Sequence, residues 1–215
     1  MKVGVLALQG DFSEHTLALR QVGAEPHLVR RPEDLTAVSG LVIPGGESTT
    51  LGMLLDSSDL REPVHKLVAS GVPTFGTCAG MILLARSITD GRADQLTLSV
   101  LDIDVQRNGF GRQLQSFECD LDVEGLGAPL PAVFIRAPLV ERAGARVKVL
   151  AVVERGSQLV DSVDTFDSVD SARPSRAPVL VREGNVLASA FHPELTPDRR
   201  LHRMFVRMID ERARG

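Results

Sequence analysis

The sequence predicts an α/β fold built on a mixed, mainly parallel central sheet with helices on both faces. Three observations carry that expectation. Short, continuous apolar runs alternate with amphipathic stretches through the first part of the chain, as strands buried on both faces and their crossover helices do. Such runs stop abruptly at glycine or proline, as in Pro44-Gly45-Gly46 after Leu41-Val42-Ile43. From Leu96 onward the pattern changes to strand-like pieces with few helices between them, which predicts an antiparallel extension of the sheet.

Taken in order, Val3 to Leu8 is an uninterrupted apolar strand. Asp11 is placed to cap the following helix, where Phe12, Leu19 and Val22 recur at helical spacing. Strands are expected at His27 to Arg30 and at Leu41 to Ile43. Helices from about Thr49 to Leu55 and Glu62 to Ala69 then lead to a strand at Val72 to Gly76 and a helix from Ala79. Further strands are read at Leu98 to Val105, Val133 to Arg136 and Val147 to Val153. Val179 to Arg182 and Leu187 to Ala190 read as a hairpin around Glu183-Gly184-Asn185, and Asp198 to Arg212 as a closing amphipathic helix.

A chain of 215 residues suffices for one well-buried domain, so residues 1–215 are read as a single unit. Hydrophobic residues at 43% and charged ones at 24% exclude disordered and collagen-like classes. A net charge of -4 offers no broad basic surface for phosphates, so no nucleic-acid partner is expected. Val3 to Leu8 is too short to span a membrane and is broken by Gln9-Gly10-Asp11, so neither a membrane nor a secretory signal is expected. Two cysteines, Cys78 and Cys119, make neither a disulfide framework nor a zinc site, which fits a reducing cytoplasm.

One segment breaks the pattern. Between about Ser157 and Ala177, Asp161, Asp164, Asp167 and Asp170 recur every third residue. Calcium binding would use such carboxylates, but the glycine and terminal glutamate of an EF-hand loop are missing, and a solvated acidic insertion is the simpler reading.

The chemistry concentrates at three turns. Gly76-Thr77-Cys78-Ala79-Gly80 has the glycine-x-nucleophile-x-glycine form of a strand-to-helix elbow, which would present the Cys78 thiol at a helix start where thiolate is favoured. Phe191-His192-Pro193-Glu194 follows the last expected strand. If it is extended, residues two apart share a side, so Glu194 can orient His192 as the base for Cys78. At Pro44-Gly45-Gly46-Glu47-Ser48-Thr49 a strand ends in two glycines before a helix. That is either a plain turn or a source of anion-binding N–H groups, and an N–H from Gly46 with one from Ala79 would make an oxyanion hole. The other histidines, His15, His27, His65 and His202, are expected at the surface or at partner contacts.

With these segments in view, the sequence resembles the class I, triad-type glutamine amidotransferases, and more narrowly the glutaminase subunits of pyridoxal 5'-phosphate synthases. The motifs run nearly the full chain: Gly4 to Gly10 with Glu14-His15, Pro44 to Thr50, Gly76 to Gly80, Arg107 to Arg112, Phe134 to Pro138, and Phe191 to Thr196. The resemblance implies a three-layer, flavodoxin-like fold and the triad Cys78, His192 and Glu194. It also implies glutamine contacts from Gly46, Glu47, Ser48, Arg107, Ile135 and Arg136, no cofactor or metal, and a synthase subunit as partner in a hetero-oligomer. An arginine suits the substrate carboxylate because its donors form a rigid fork. The rivals are a cysteine hydrolase of the related peptidase-like superfamily and a non-catalytic regulatory subunit. The intact Cys78, His192 and Glu194 argue against the second.

Overall fold

A computed structural model describes residues 1–91, 96–110, 116–154 and 176–214. Their central element is a seven-stranded sheet made of β1 (Lys2–Leu6), β2 (Glu25–Val29), β3 (Gly40–Ile43), β4 (Thr74–Thr77), β10 (Lys148–Glu154), β11 (Arg176–Glu183) and β12 (Val186–Ser189). The order is β10-β11-β12-β4-β3-β1-β2. The five strands from β12 to β2 run parallel, whereas β10 and β11 pair antiparallel. Parallel strands are covered on both faces, and β3 and β4 are accordingly buried at every position.

The two faces can be told apart along β4. Phe75 lies edge-on to His15 of α1 (Phe12–Gln21) and against His202 and Phe205 of α5 (Arg200–Arg214). The next residue, Gly76, faces Leu84 and Gly80 of α4 (Ala79–Leu84), and neighbouring strand residues point to opposite faces. Helices α1 and α5 therefore cover one face and α4 the other, where α4 packs against α2 (Ser48–Ser57) and α2 against α3 (Arg61–Ala69). A side chain at Gly80 would meet the Ile43 carbonyl at 2.1 Å, so only glycine lets α4 lie this close to β3.

The expected antiparallel extension is realised only in part. Among the described residues, strands β5 (Ala85–Ile88), β6 (Leu101–Gln106) and β9 (Leu139–Ala143) form a separate sheet, and β7 (Ser116–Leu121) pairs with β8 (Leu130–Ile135) in a two-stranded one. The reason is legible in β6, where Leu101, Ile103 and Val105 are buried while Asp102 and Asp104 face outward to Arg86 and Arg142. A strand with one charged face cannot sit in a sheet buried on both sides. Stacked rings of Phe117 and Phe134, with Phe134 5.5 Å from Phe191, press the β7–β8 pair onto the turn after β12.

Some boundaries move. The acidic stretch lies outside the described residues except for Arg176 and Ala177, which already belong to β11; Gly111 and Arg112 lie outside them as well. Asp11 precedes α1 but makes no side-chain cap, and its carboxylate lies instead 3.6 Å from His192 Nδ1. Helix α5 begins two residues later than expected because Asp198 stands before it and accepts the Arg200 N–H at 2.9 Å. No helix of the described residues is long and apolar enough to cross a membrane.

Candidate active site

The sheet register brings the three turns to one edge. Val5 of β1 is level with Val42, Ile43 with Gly76, and Thr77 with Ser189. The residues just past the carboxyl ends of β1, β3, β4 and β12 are therefore neighbours, where ligands of parallel sheets bind.

Cys78 occupies the turn between β4 and α4 with φ 49° and ψ -103°. A non-glycine residue in that region is strained, and strain of this kind marks a side chain held in one direction. The turn is held by the Cys78 N–H, which donates to the Ser189 carbonyl at 2.8 Å. That N–H is thus committed, leaving the first free backbone donor of the elbow to the Ala79 position. The thiol is buried and lies 3.8 Å from the Ile135 carbonyl.

His192 is fixed by its own N–H, which donates to Val133 of β8 at 2.8 Å, and its Nδ1 lies 2.8 Å from Glu194 Oε1. The chain turns through a short 3-10 helix at Pro193–Leu195, so the two side chains meet across a turn and not along an extended strand as expected. Burial disfavours a charged ring, but the nearby Cys78 sulfur and the hydrogen-bonded Glu194 carboxylate outweigh it and raise the His192 pKa to about 10. Burial likewise works against the Glu194 carboxylate, yet His15 and His192 hold its pKa below the usual value. Gly45 packs directly on the imidazole, since a Cβ there would sit 2.4 Å from His192 Cε1.

Glu47 is the N-cap of α2. Its carboxylate accepts from the Thr49 and Thr50 N–H groups at 3.0 and 2.6 Å and from the Thr50 hydroxyl at 2.7 Å. Partial burial is outweighed by the Thr50 and Thr49 bonds, and the pKa falls to about 2. Replacing Glu47 with alanine is expected to cost about 1 kcal/mol of stability at neutral pH. Because the folded pKa is depressed, the cap acts above the ordinary value of 4.5 and is lost as pH falls toward about 2. Denaturant melts at pH 7 and pH 3 check this: the gap between wild type and variant should shrink in acid, and an unchanged gap would refute the charged cap.

A cavity of about 280 Å³ opens over the thiol, lined by Gln9, Asp11, Gly46, Glu47, Ser48, Arg107, Ile135, Arg136 and His192 among others. Every expected substrate-contact residue lines it. Arg107 lies 3.3 Å from Glu47, Ser48 is buried, and Ile135 and Arg136 are exposed at the rim. Gln9 accepts the Glu47 N–H at 3.0 Å and so ties the end of β1 to the glycine turn. Cys119 sits on β7, outside this lining. Asp11, His192 and Glu194 each offer one potential metal-ligand atom within 4.8 Å, although His192 Nδ1 already pairs with Glu194.

The histidine expectation needs correction. His65 is exposed and His27 partly so, but His15 and His202 are wholly buried beside Glu194. Both lie on the inward faces of amphipathic helices, and spacing alone does not separate a buried from an exposed histidine on such a helix. The Glu14-His15 pair of the opening motif was the available signal.

The fold belongs to the glutamine amidotransferase class: a crystal structure of a glutamine amidotransferase matches with a TM-score of 0.82 at 48% identity, covering 97% of this chain and 98% of that one. Within that class, the chain belongs to the SNO glutamine amidotransferase family, whose model matches residues 5–211. It is 52% identical over 215 residues to the pyridoxal 5'-phosphate synthase subunit PdxT of Frankia alni, covering 100% of this chain and 98% of the relative. It is 54% identical over 215 residues to that of Nocardia farcinica, covering 99% and 87%.

Proposed function

We propose that this chain is the glutaminase subunit of a pyridoxal 5'-phosphate synthase, hydrolysing L-glutamine to L-glutamate and ammonia with Cys78, His192 and Glu194. The observation that carries the proposal is the strained Cys78 elbow under a small cavity that His192 also lines, with the His192 ring hydrogen-bonded to Glu194. In the first half-reaction the Cys78 thiolate attacks the side-chain amide carbon, and the C–N bond breaks as His192 gives its proton to the leaving ammonia. A γ-glutamyl thioester remains. Neutral His192 then takes a proton from water, the resulting hydroxide equivalent cleaves the C–S bond, and glutamate leaves with the thiolate restored.

The Gly46 and Ala79 N–H groups are assigned to the oxyanion of each tetrahedral intermediate. Arg107 and Arg136 supply cations for the substrate carboxylate, and Glu47, Ser48 and Ile135 shape the pocket. Written this way, the reaction balances with no metal or cofactor. The chain works as one unit, in the cytoplasm, in a hetero-oligomer with the synthase subunit that consumes the ammonia, and with no nucleic acid or membrane. Its net charge of -4 supports a protein partner over a phosphate backbone.

Isolated glutaminase is expected to be slow and to be stimulated by synthase. Free ammonia is protonated near neutral pH and lost to diffusion, so uncoupled turnover wastes glutamine. The Gly45-Gly46 peptide can reorient at low steric cost, and Gln9 links it to the end of β1, where a docking partner can select one orientation. Steady-state ammonia release, measured with increasing synthase subunit, should rise to saturation. Full activity without synthase, and no change on titration, would reject the coupling.

A further inference from the structure

Behind the triad lies a second layer of buried imidazoles that the proposed reaction does not use. His15 on α1 and His202 on α5 are both 0% exposed, on the face of the sheet opposite α4. His15 Nδ1 is 3.1 Å from His202 Nε2; His15 Nε2 is 3.1 Å from Thr77 Oγ1 and 3.3 Å from Glu194 Oε2. Glu194 Oε2 is buried and has no hydrogen bond of ordinary geometry among the described residues, and His202 Nδ1 is in the same condition.

Two independent features fix where the protons sit. A bare His15 Nε2 would hold its lone pair 3.3 Å from a carboxylate oxygen, which is repulsive, so the proton is on Nε2. An orphaned buried N–H costs more than an orphaned ring lone pair, so the unpartnered His202 Nδ1 is the bare nitrogen and His202 Nε2–H donates to His15 Nδ1. Both routes give the same tautomers, assigned from the network as ring protons generally are. Burial also lowers the pKa of each ring, that of His202 to about 3, so both are neutral donors.

We propose that His15, oriented by His202, is a positioning residue for Glu194: its Nε2–H, bonded to Thr77 and 3.3 Å from Glu194 Oε2, attracts that oxygen electrostatically and holds it in place so that Oε1 stays turned to His192. The chain of donors runs from His202 through His15 to one carboxylate oxygen, while His192 Nδ1–H takes the other. Other charged groups acting on His15 are His192, Asp11 and Arg199. Of these, Arg199 reaches the Glu194 carbonyl at 3.5 Å and Asp11 lies on the His192 side, so neither replaces a donor at Oε2. Loss of the His15 N–H removes the positive group 3.3 Å from a buried carboxylate oxygen. Its pKa then rises, protonated Glu194 appears at higher pH, and the hold on His192 weakens.

The inference rests on the assignment of Cys78, His192 and Glu194, and the test keeps the two apart. Ammonia release is measured with saturating synthase subunit for wild type, Cys78→Ala, His15→Leu and His15→Gln, across pH. Glutamine places its amide nitrogen where imidazole has Nε2 and so keeps the donor. His15→Leu is expected to lower kcat by about 10- to 100-fold, below the roughly 10⁴-fold that disabling the orienting carboxylate itself costs in such triads. KM should stay within about twofold, and the acid limb of the kcat profile should move up by about one pH unit. His15→Gln should recover most of both.

An unmoved acid limb in folded His15→Leu, or a glutamine variant as impaired as the leucine one, overturns the proposal and leaves His15 as packing. Equal ammonia release by wild type and Cys78→Ala would instead remove the triad assignment. Should His15→Leu fail to fold, long-range ¹⁵N correlation spectra of the wild-type chain decide: neutral His15 and His202 protonated on Nε2 support the proposal, and a proton on His15 Nδ1 overturns it.

Discussion

Replacing Cys78 with alanine is expected to lower ammonia release from glutamine by at least about 10⁴-fold while leaving the fold and synthase binding intact. The loss is large because no other thiol lines the cavity among the described residues, and because members of a triad act as a unit. The fold survives because alanine keeps the Cβ and the backbone geometry of the turn, and the committed Cys78 N–H to Ser189 is unchanged. Removing one buried sulfur costs about 1 kcal/mol or less. The same variant carries a second readout. Cys78 is among the groups that raise the His192 pKa, so in Cys78→Ala the imidazole should titrate below its value of about 10, as followed by NMR. Cys119→Ala, on β7 and away from the cavity, should change neither quantity. Near-normal ammonia release by Cys78→Ala, or an equal loss in Cys119→Ala, would reassign the nucleophile.

What the sequence disclosed about the fold depended on the kind of pattern each element carries. Strands buried on both faces read as plain apolar runs, which is why β1, β3, β4 and β12 were legible to within a few residues. Helix α5 was equally plain, because a long surface helix has a sharp apolar stripe. The separate sheet of β5, β6 and β9 was not anticipated, although the alternation Leu101-Asp102-Ile103-Asp104-Val105 already described a strand with a charged face. Pairing depends on residues 40 apart in sequence, such as Asp102 and Arg142, and no local rule supplies that partner.

The site divides the same way. Elbow glycines and the two-residue spacing of His192 and Glu194 are local signals, and they led to side chains that the sheet edge does bring together. Asp11 was misread because a capping residue and a site residue look alike before a helix. His15 and His202 were misread because their burial comes from two helices, 187 positions apart in sequence, meeting over Phe75. A histidine on an amphipathic helix is exposed or buried according to what lies opposite it, which only the tertiary arrangement decides.

His192→Asn is expected to be more damaging than Glu194→Gln, by roughly 100-fold in kcat, with both far below wild type. Asparagine can occupy the space of the imidazole and hydrogen-bond there, but it cannot carry the proton to departing ammonia or accept one from water. Glutamine at position 194 removes the charge that orients and stabilises the imidazolium, yet leaves the ring able to transfer protons. The two variants should also differ in how stability follows pH. The folded pKa of His192, about 10, lies above its ordinary 6.5, so the stabilisation it brings is complete below about pH 6.5 and lost as pH rises toward about 10. Wild type should therefore lose stability across that window, and His192→Asn, which has nothing to titrate there, should show a flatter curve. In Glu194→Gln one of the raising partners is gone, so the loss should begin at lower pH than in wild type. Denaturant melts at pH 6, 8 and 10 measure this directly. A His192→Asn variant with the wild-type slope across the window would show that the imidazole is not held charged by its neighbours, and equal activity of that variant and wild type would remove histidine from the proton transfer altogether.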